Sequence, residues 1–304
     1  MGRFEDRVVL ITGASSGVGA AAAEAFAREG AHLALLARGR EGLERVARRV
    51  RRQGRRALVL PADVTDRAAL ERAVGRVERE LGGIDVLVTG AAAMVFGRFE
   101  QVPPEAFDRT IAVTFTGTVD TIRAALPALE RRQGTIVVLG SIMARLPWPS
   151  FSSYSAAKHA LRGFVGALRV ELRAAGHPVG VSLVNPGPVD TPLWDHLSTA
   201  TGRMPRKPPD SYTPEAVAAA VLACAGRPRA EVTIGAEAKL LELAWIFARP
   251  VAEPLLVLAH RLYRSGVKDA EGPGALWEPA GTGDASDGMH GRPSVWTPLR
   301  LLRG

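Results

Sequence analysis

The sequence predicts an α/β protein built as a doubly wound parallel sheet of about seven strands, with a C-terminal helical extension. Three observations point there. Short apolar runs recur along the chain, separated by helix-compatible segments; a glycine-rich turn joins the first run to an alanine-rich helix; and the chemically distinctive residues fall at the carboxyl ends of the runs, where such sheets bind ligands.

Residues 7–12 read as a buried strand, because a continuous apolar run suits a strand covered on both faces. Residues 17–29 follow as the alanine-rich helix. Residues 32–38, 57–60, 85–89, 135–139 and 179–184 are further short apolar runs, and residues 231–235 supply a seventh strand. Strands alternating with helices imply right-handed crossovers and hence a parallel sheet. The greasy stretch 240–262 is broken by Glu242, Arg249, Pro250, Glu253 and Pro254, well short of an uncharged span of ~20 residues. It reads as docked helices, so residues 237–264 are expected to be a helical extension packed on the body. From 265 the composition shifts to Gly, Pro, Asp, Ser and Thr, and residues 265–304 are expected to form a loosely ordered tail, with Trp277 and Trp296 as candidates for docking.

A chain of 304 residues, 47% of them hydrophobic, can bury a substantial core. The net charge of +8 raises the question of an anionic partner. The only lysines are Lys158, Lys207, Lys239 and Lys268, and the arginines are scattered, often beside glutamates, with no basic arm or interleaved aromatics. No nucleic-acid partner is expected on that pattern. The N-terminus runs into the first strand without a signal-peptide hydrophobic region, so the expected compartment is the cytoplasm; no transmembrane segment is expected, while peripheral membrane contact stays open. Cys224, the sole cysteine, excludes an intramolecular disulfide and a cysteine zinc cluster, and reads as a small core residue. His32, His159 and His177 lack carboxylate partners or metal-ligand spacing in the sequence, so they read as structural and no metal site is expected.

Residues 154–158, Tyr-Ser-Ala-Ala-Lys, lie thirteen positions after Ser141. On a helix, Tyr154 and Lys158 project from one face, and an ammonium beside a phenol favours phenolate, drawing its pKa from about 10 towards neutrality. Ser141 is then placed to hold a substrate oxygen. Alone, Tyr-x-x-x-Lys is most often a helix surface. A second motif changes its weight: Thr12-Gly13-Ala14-Ser15-Ser16-Gly17-Val18-Gly19 follows a strand and opens a helix, where glycines permit a tight turn and close backbone approach to a pyrophosphate.

Together the motifs resemble the short-chain dehydrogenase/reductase family. The resemblance covers about residues 5–240 and rests on the loop from Thr12 to Gly19, Asp63-Val64, Ser141, Tyr154 with Lys158, and Asn185-Pro186-Gly187 with Thr191. It implies a Rossmann-type domain over residues 1–236 that binds NAD(H) or NADP(H) and interconverts an alcohol with a ketone or aldehyde. It further implies cofactor contacts from Gly13, Ser15, Ser16, Gly17, Val18 and Gly19, from Asp63 and Val64 at the adenine, from Gly90, and from Pro186, Gly187, Val189 and Thr191 near the nicotinamide. Tyr154 is the implied proton donor or acceptor, Lys158 its tuner on the nicotinamide ribose, and Ser141 the partner of the reacting oxygen.

The chain departs from the family twice. Asn-Asn-Ala-Gly after the fourth strand is replaced by Thr89-Gly90-Ala91-Ala92, and the helix Asn that supports a water relay to the lysine is replaced by Thr114. Thr114 enters the catalytic set only as the occupant of that position. Its hydroxyl is smaller than an amide and able to tie itself to its own helix's carbonyl, which puts the relay in question.

Cofactor choice follows from charge. Where an NAD site offers a carboxylate at the end of the second strand, this chain offers Arg38, with Arg40 as a possible helper; a guanidinium suits a 2′-phosphate, so NADP(H) is expected over NAD(H). Met94, Phe96, Trp148, Phe151 and Trp194 are expected to line an apolar substrate pocket for a bulky hydrophobic carbonyl or alcohol. The helix over 153–175 is small or apolar on most sides, which predicts a homodimer. The rival reading is an NADP(H)-binding sensor or scaffold with impaired catalysis, suggested by Thr114 and Thr89-Gly90.

Overall fold

A computed structural model describes residues 2–194, 197–202, 204–205, 211–263 and 274–279. The seven expected strands are present: β1 (Val8–Thr12), β2 (His32–Ala37), β3 (Ala57–Pro61), β4 (Val86–Thr89), β6 (Thr135–Leu139), β7 (Gly180–Pro186) and β9 (Glu231–Ile234). They form one sheet in the order β3-β2-β1-β4-β6-β7-β9, with every pairing parallel. Two short strands, β5 (Val95–Phe96) and β8 (Ser198–Thr199), pair outside it. Two-residue strands carry no readable periodicity, which is why the sequence does not announce them.

Helices cover both faces. Val9 and Ile11 of β1 belong to the core shared with α1 (Gly17–Arg28), α2 (Arg40–Arg52) and α7 (Pro214–Gly226), whereas Val8 and Leu10 belong to the opposite core with α3 (Arg67–Leu81), α5 (Gly117–Arg132) and α6 (Ser152–Ala174). This alternation is the strand's period of two, and both sets are apolar because both faces are covered. Four consecutive alanines of helix α1, Ala20 to Ala23, are buried, and since they point around most of the helix it is covered by the sheet on one side and by its helix neighbours on the other. Its Phe26 is completely buried against Phe4, their ring centroids 4.9 Å apart, and a side chain of that kind contributes about 1.5–3 kcal/mol on burial. Between α4 (Pro104–Ile111) and α5, residues Ala112–Thr116 form a π-helical turn. Helix α6 buries Tyr154, Lys158, Leu161, Val165 and Leu168 on one side and leaves Ala156, Ala160, Gly163 and Ala167 exposed on the other.

After β9 come α8 (Ala236–Phe247) and α9 (Arg249–Tyr263). Ala252, Leu256 and the carboxylate-bearing Glu242 are buried, while Leu240, Phe247, Val251 and Leu255 are each more than half exposed. Among the described residues no helix is long and apolar enough to cross a membrane. Within the stretch expected to be loosely ordered, residues Gly274–Leu276 form a single 3-10 turn whose Leu276 is buried, so at least this part of the tail is docked. Trp296 and most of 265–304 lie outside the described residues.

Candidate active site

The switch in strand order falls between β1 and β4, and the chemistry-bearing residues gather beyond the carboxyl ends of the sheet there. One cleft of about 460 Å³ is lined by Gly13, Ser15, Ser16, Gly17, Val18 and Gly19 from the turn after β1. Arg38, Asp63, Val64, Gly90, Ser141, Tyr154, Lys158, Pro186, Gly187, Val189 and Thr191 line it as well. The turn is compact for a steric reason. Gly13 sits at φ 70°, and a Cβ there would come within 2.7 Å of the Gly90 carbonyl carbon; a Cβ on Gly19 would come within 2.2 Å of the Gly13 oxygen. Ser16 caps α1 without a side-chain hydrogen bond, so the first amides of α1 point into the cleft as donors at the positive end of the helix dipole.

At the other end, α6 presents Tyr154 and Lys158 one turn apart, and Ser141 follows β6. The Ser141 hydroxyl donates to the Tyr154 phenol oxygen and accepts from the Met143 amide at 3.1 Å. Its own amide donates to Asn185 Oδ1 at 3.2 Å, and Asn185 Nδ2 donates to Glu231 at 2.6 Å. Burial pushes Glu231 up, but the hydrogen bond and charge of Arg145, with Arg162, outweigh it and hold the carboxylate below its ordinary range. An ionised acceptor thus fixes the Asn185 amide, which fixes the Ser141 backbone.

Tyr154 and Lys158 correct the expectation of simple tuning. Burial pushes the Tyr154 phenol above its ordinary value, with the Ser141 hydrogen bond acting against it. Burial also pushes the Lys158 ammonium down, to about 7. The Lys158 Nζ donates to the Leu139 carbonyl at 2.7 Å and lies 5.4 Å from the Tyr154 ring centroid. Desolvation disfavours both charged forms, and it outweighs any help the ammonium gives the phenolate.

Above this set, Met94, Phe96, Phe151 and Tyr154 form a separate apolar cluster with Leu197, against which Trp148 and Trp194 pack. The Phe96 and Phe151 rings meet tilted at 53° with centroids 5.3 Å apart, and Trp194 Nε1 donates to the Val189 carbonyl at 2.9 Å. The five aromatic and methionine residues singled out from the sequence therefore meet around the Tyr154 end of the cleft. Leu241 and His260 also reach it, from α8 and α9.

Residues 7–202 match the family model described as short chain dehydrogenase. The chain belongs to the short-chain dehydrogenase family. It is 31% identical over 293 residues to the uncharacterized oxidoreductase YxnA of Bacillus subtilis, across 95% of this chain and 81% of that protein. Among solved structures, an alcohol dehydrogenase from the archaeon Thermococcus sibiricus complexed with 5-hydroxy-NADP matches with a TM-score of 0.67 at 30% identity, over 75% of this chain and 95% of that one. A short chain dehydrogenase from Mycobacterium paratuberculosis bound to NAD matches with a TM-score of 0.68 at 26% identity, over 76% and 97%. This dehydrogenase is accordingly an oxidoreductase acting on CH–OH groups with a nicotinamide dinucleotide. The cleft fits that group: the free amides of α1 face it at one end, and Tyr154 and Lys158 flank its other end.

Three residues singled out from sequence, Thr114, Arg38 and Asp63, have partners other than those expected. The Thr114 hydroxyl does not turn back on its own helix; it donates to the Ala93 carbonyl at 3.1 Å and accepts from the Ala93 amide at 3.0 Å. The π-helical turn aims it across at the chain after β4, and its single proton is used there. No hydrogen bond joins it to Lys158 among the described residues. Neighbouring Thr89, in the other departure, buries a hydroxyl that makes no hydrogen bond among the described residues.

Arg38 is also committed elsewhere. Its guanidinium donates to the carbonyls of Ala275, Leu276, Trp277 and Glu278. Asp63, expected at the adenine, is ion-paired with Arg109 and accepts from the Thr65 amide and hydroxyl. Arg109 is a site residue the sequence reading missed, lying 46 positions from Asp63 with no local pattern linking them; Trp277, a docking candidate from sequence, does meet the body at Arg109, but that its segment reaches the cleft was not foreseen. Two of the three histidines weighed from sequence do have carboxylate partners, contrary to expectation: His177 meets Glu130 at 3.2 Å and His32 meets Asp6 at 3.6 Å, each away from the cleft, while His159 meets the Ser155 carbonyl at 2.8 Å.

Proposed function

We propose that this dehydrogenase interconverts a bulky hydrophobic ketone or aldehyde with its alcohol, using NADP(H), with Tyr154 as the general acid/base. The observation that carries the reading is the hydrogen-bonded Ser141–Tyr154 pair at the base of the apolar cluster, in the same cleft as the glycine-rich turn. Ser141 orients the reacting oxygen, and Tyr154 Oη gives it a proton in the reductive direction or takes one in the oxidative direction. The raised phenol suits the reductive direction, because it keeps the proton on Tyr154 at neutral pH. Lys158, poised near 7, holds the ribose end and supplies positive charge as the phenol loses its proton. The nicotinamide, when bound, supplies or accepts the hydride. Apolar walls from Met94, Phe96, Trp148, Phe151 and Trp194 exclude water and favour a large apolar substituent.

Arg38 at the end of β2 supports NADP(H), since a guanidinium recognises a 2′-phosphate by charge-assisted hydrogen bonds where a carboxylate would repel it. The sensor reading loses weight because Ser141, Tyr154 and Lys158 are assembled around one cleft. A homodimer through the outer face of α6 and a cytoplasmic setting, which the buried thiol of Cys224 suits, complete the proposal.

The test is NADPH oxidation against a panel of hydrophobic carbonyls. Tyr154→Phe is expected to lower turnover by roughly 10²–10⁴-fold while NADPH affinity stays near the parent value. Full turnover in that variant, or no activity on any carbonyl, would overturn the assignment.

A further inference from the structure

We propose that residues 274–279 form an intramolecular gate over the adenosine half of the dinucleotide cleft, holding Arg38 with backbone carbonyls that a 2′-phosphate must displace. The proposal rests on the reading that Arg38 receives that phosphate. Nη1 of Arg38 donates to the carbonyls of Leu276 at 3.2 Å and Trp277 at 2.7 Å, and Nη2 donates to those of Ala275 and, at 3.0 Å, Glu278. Four consecutive carbonyls therefore take up the terminal donors with which a guanidinium would grip a phosphate.

Further contacts hold the segment in place. Arg109 Nε donates to the Leu276 carbonyl at 3.2 Å, its guanidinium lies 5.5 Å from the Trp277 ring centroid, and its other nitrogens bind Asp63 and Thr65. Leu276, only 3% exposed, joins the same core as Val64 and Val113. Ala275 and Pro279 line the cleft together with Ala37, Arg38, Asp63 and Val64. Segment and adenosine thus claim the same donors and the same walls. The segment weakens adenosine-half ligands by the fraction of chains in which it is undocked, and leaves ligands of the nicotinamide half untouched.

Calorimetry on the full chain tests the gate with three probes: NADPH, adenosine 2′,5′-bisphosphate and reduced nicotinamide mononucleotide. Leu276→Asp and, independently, Trp277→Ala are expected to tighten the first two by about ten-fold or more while the mononucleotide changes less than about two-fold. In the parent chain, saturation with the bisphosphate is expected to accelerate amide hydrogen exchange within 274–279. Unchanged or weaker NADPH affinity in both variants overturns the gate, as does unaltered exchange. If NADPH is preferred over NADH but neither variant affects it, the gate fails and the NADP(H) reading stands. If the parent chain prefers NADH, both fail.

Discussion

At the scale of single residues, Lys158 shows how burial replaces sequence spacing as the controlling variable. Four positions from Tyr154 suggests mutual tuning, but the structure removes both groups from water, and each moves towards its neutral form. A folded-state value of about 7 against 10.5 for a solvated lysine means that the unfolded chain binds the extra proton between those limits. Stability therefore rises with pH through that window, by up to about 1.4 kcal/mol per pH unit, and the contribution levels off below it, where both states are protonated. Urea unfolding at pH 7, 8 and 9 should show this gain in the parent chain and not in Lys158→Met. Parallel pH dependences in the two proteins would contradict it.

At the scale of elements, the loop after β6, which carries Ser141, is tied to the extension through one arginine. Arg145 pairs with Glu231 of β9 and with Glu242 of α8, whose side chain is 2% exposed, while Glu231 also holds Asn185 and so the Ser141 amide. Arg145→Met leaves two carboxylates in a dry site with only the half-exposed Lys239 and Arg162 beside them. A loss of about 3–5 kcal/mol in unfolding free energy is expected, partly recovered by adding Glu242→Met. No loss in the single variant would show that the cluster adds nothing. The strands were legible because a doubly covered strand is a continuous apolar run, as in β1 and β6, and the glycine-rich turn and Tyr154–Lys158 were legible because their parts are close in sequence. Arg145, Arg109 and the carbonyls on Arg38 were not. Their partners lie far away in the chain, 238 positions in the case of Arg38 and Leu276, and only tertiary packing joins them.

At the scale of the whole molecule, the proposed homodimer uses the outer face of α6, where Ala156, Ala160, Gly163 and Ala167 are exposed. A Cβ added to Gly163 meets nothing within 4 Å, so Gly163→Arg leaves the fold unstrained and places a charge in the proposed interface. Sedimentation should show a dimer for the parent chain and a monomer for the variant; a monomeric parent, or a dimer in both, would reject this face. The strand order also bears on how the chain reaches its native state. Neighbours elsewhere in the sheet are joined by single crossovers, but β1 and β4 meet only after two other strands have been laid on the far side, and their contact joins Val8 to Asp85, 77 positions apart. That closure carries a larger chain-entropy cost than any other pairing in the sheet. The dinucleotide crevice is therefore also the seam that folding closes at greatest entropic cost, and until it closes the nascent chain carries two unpaired apolar strand edges.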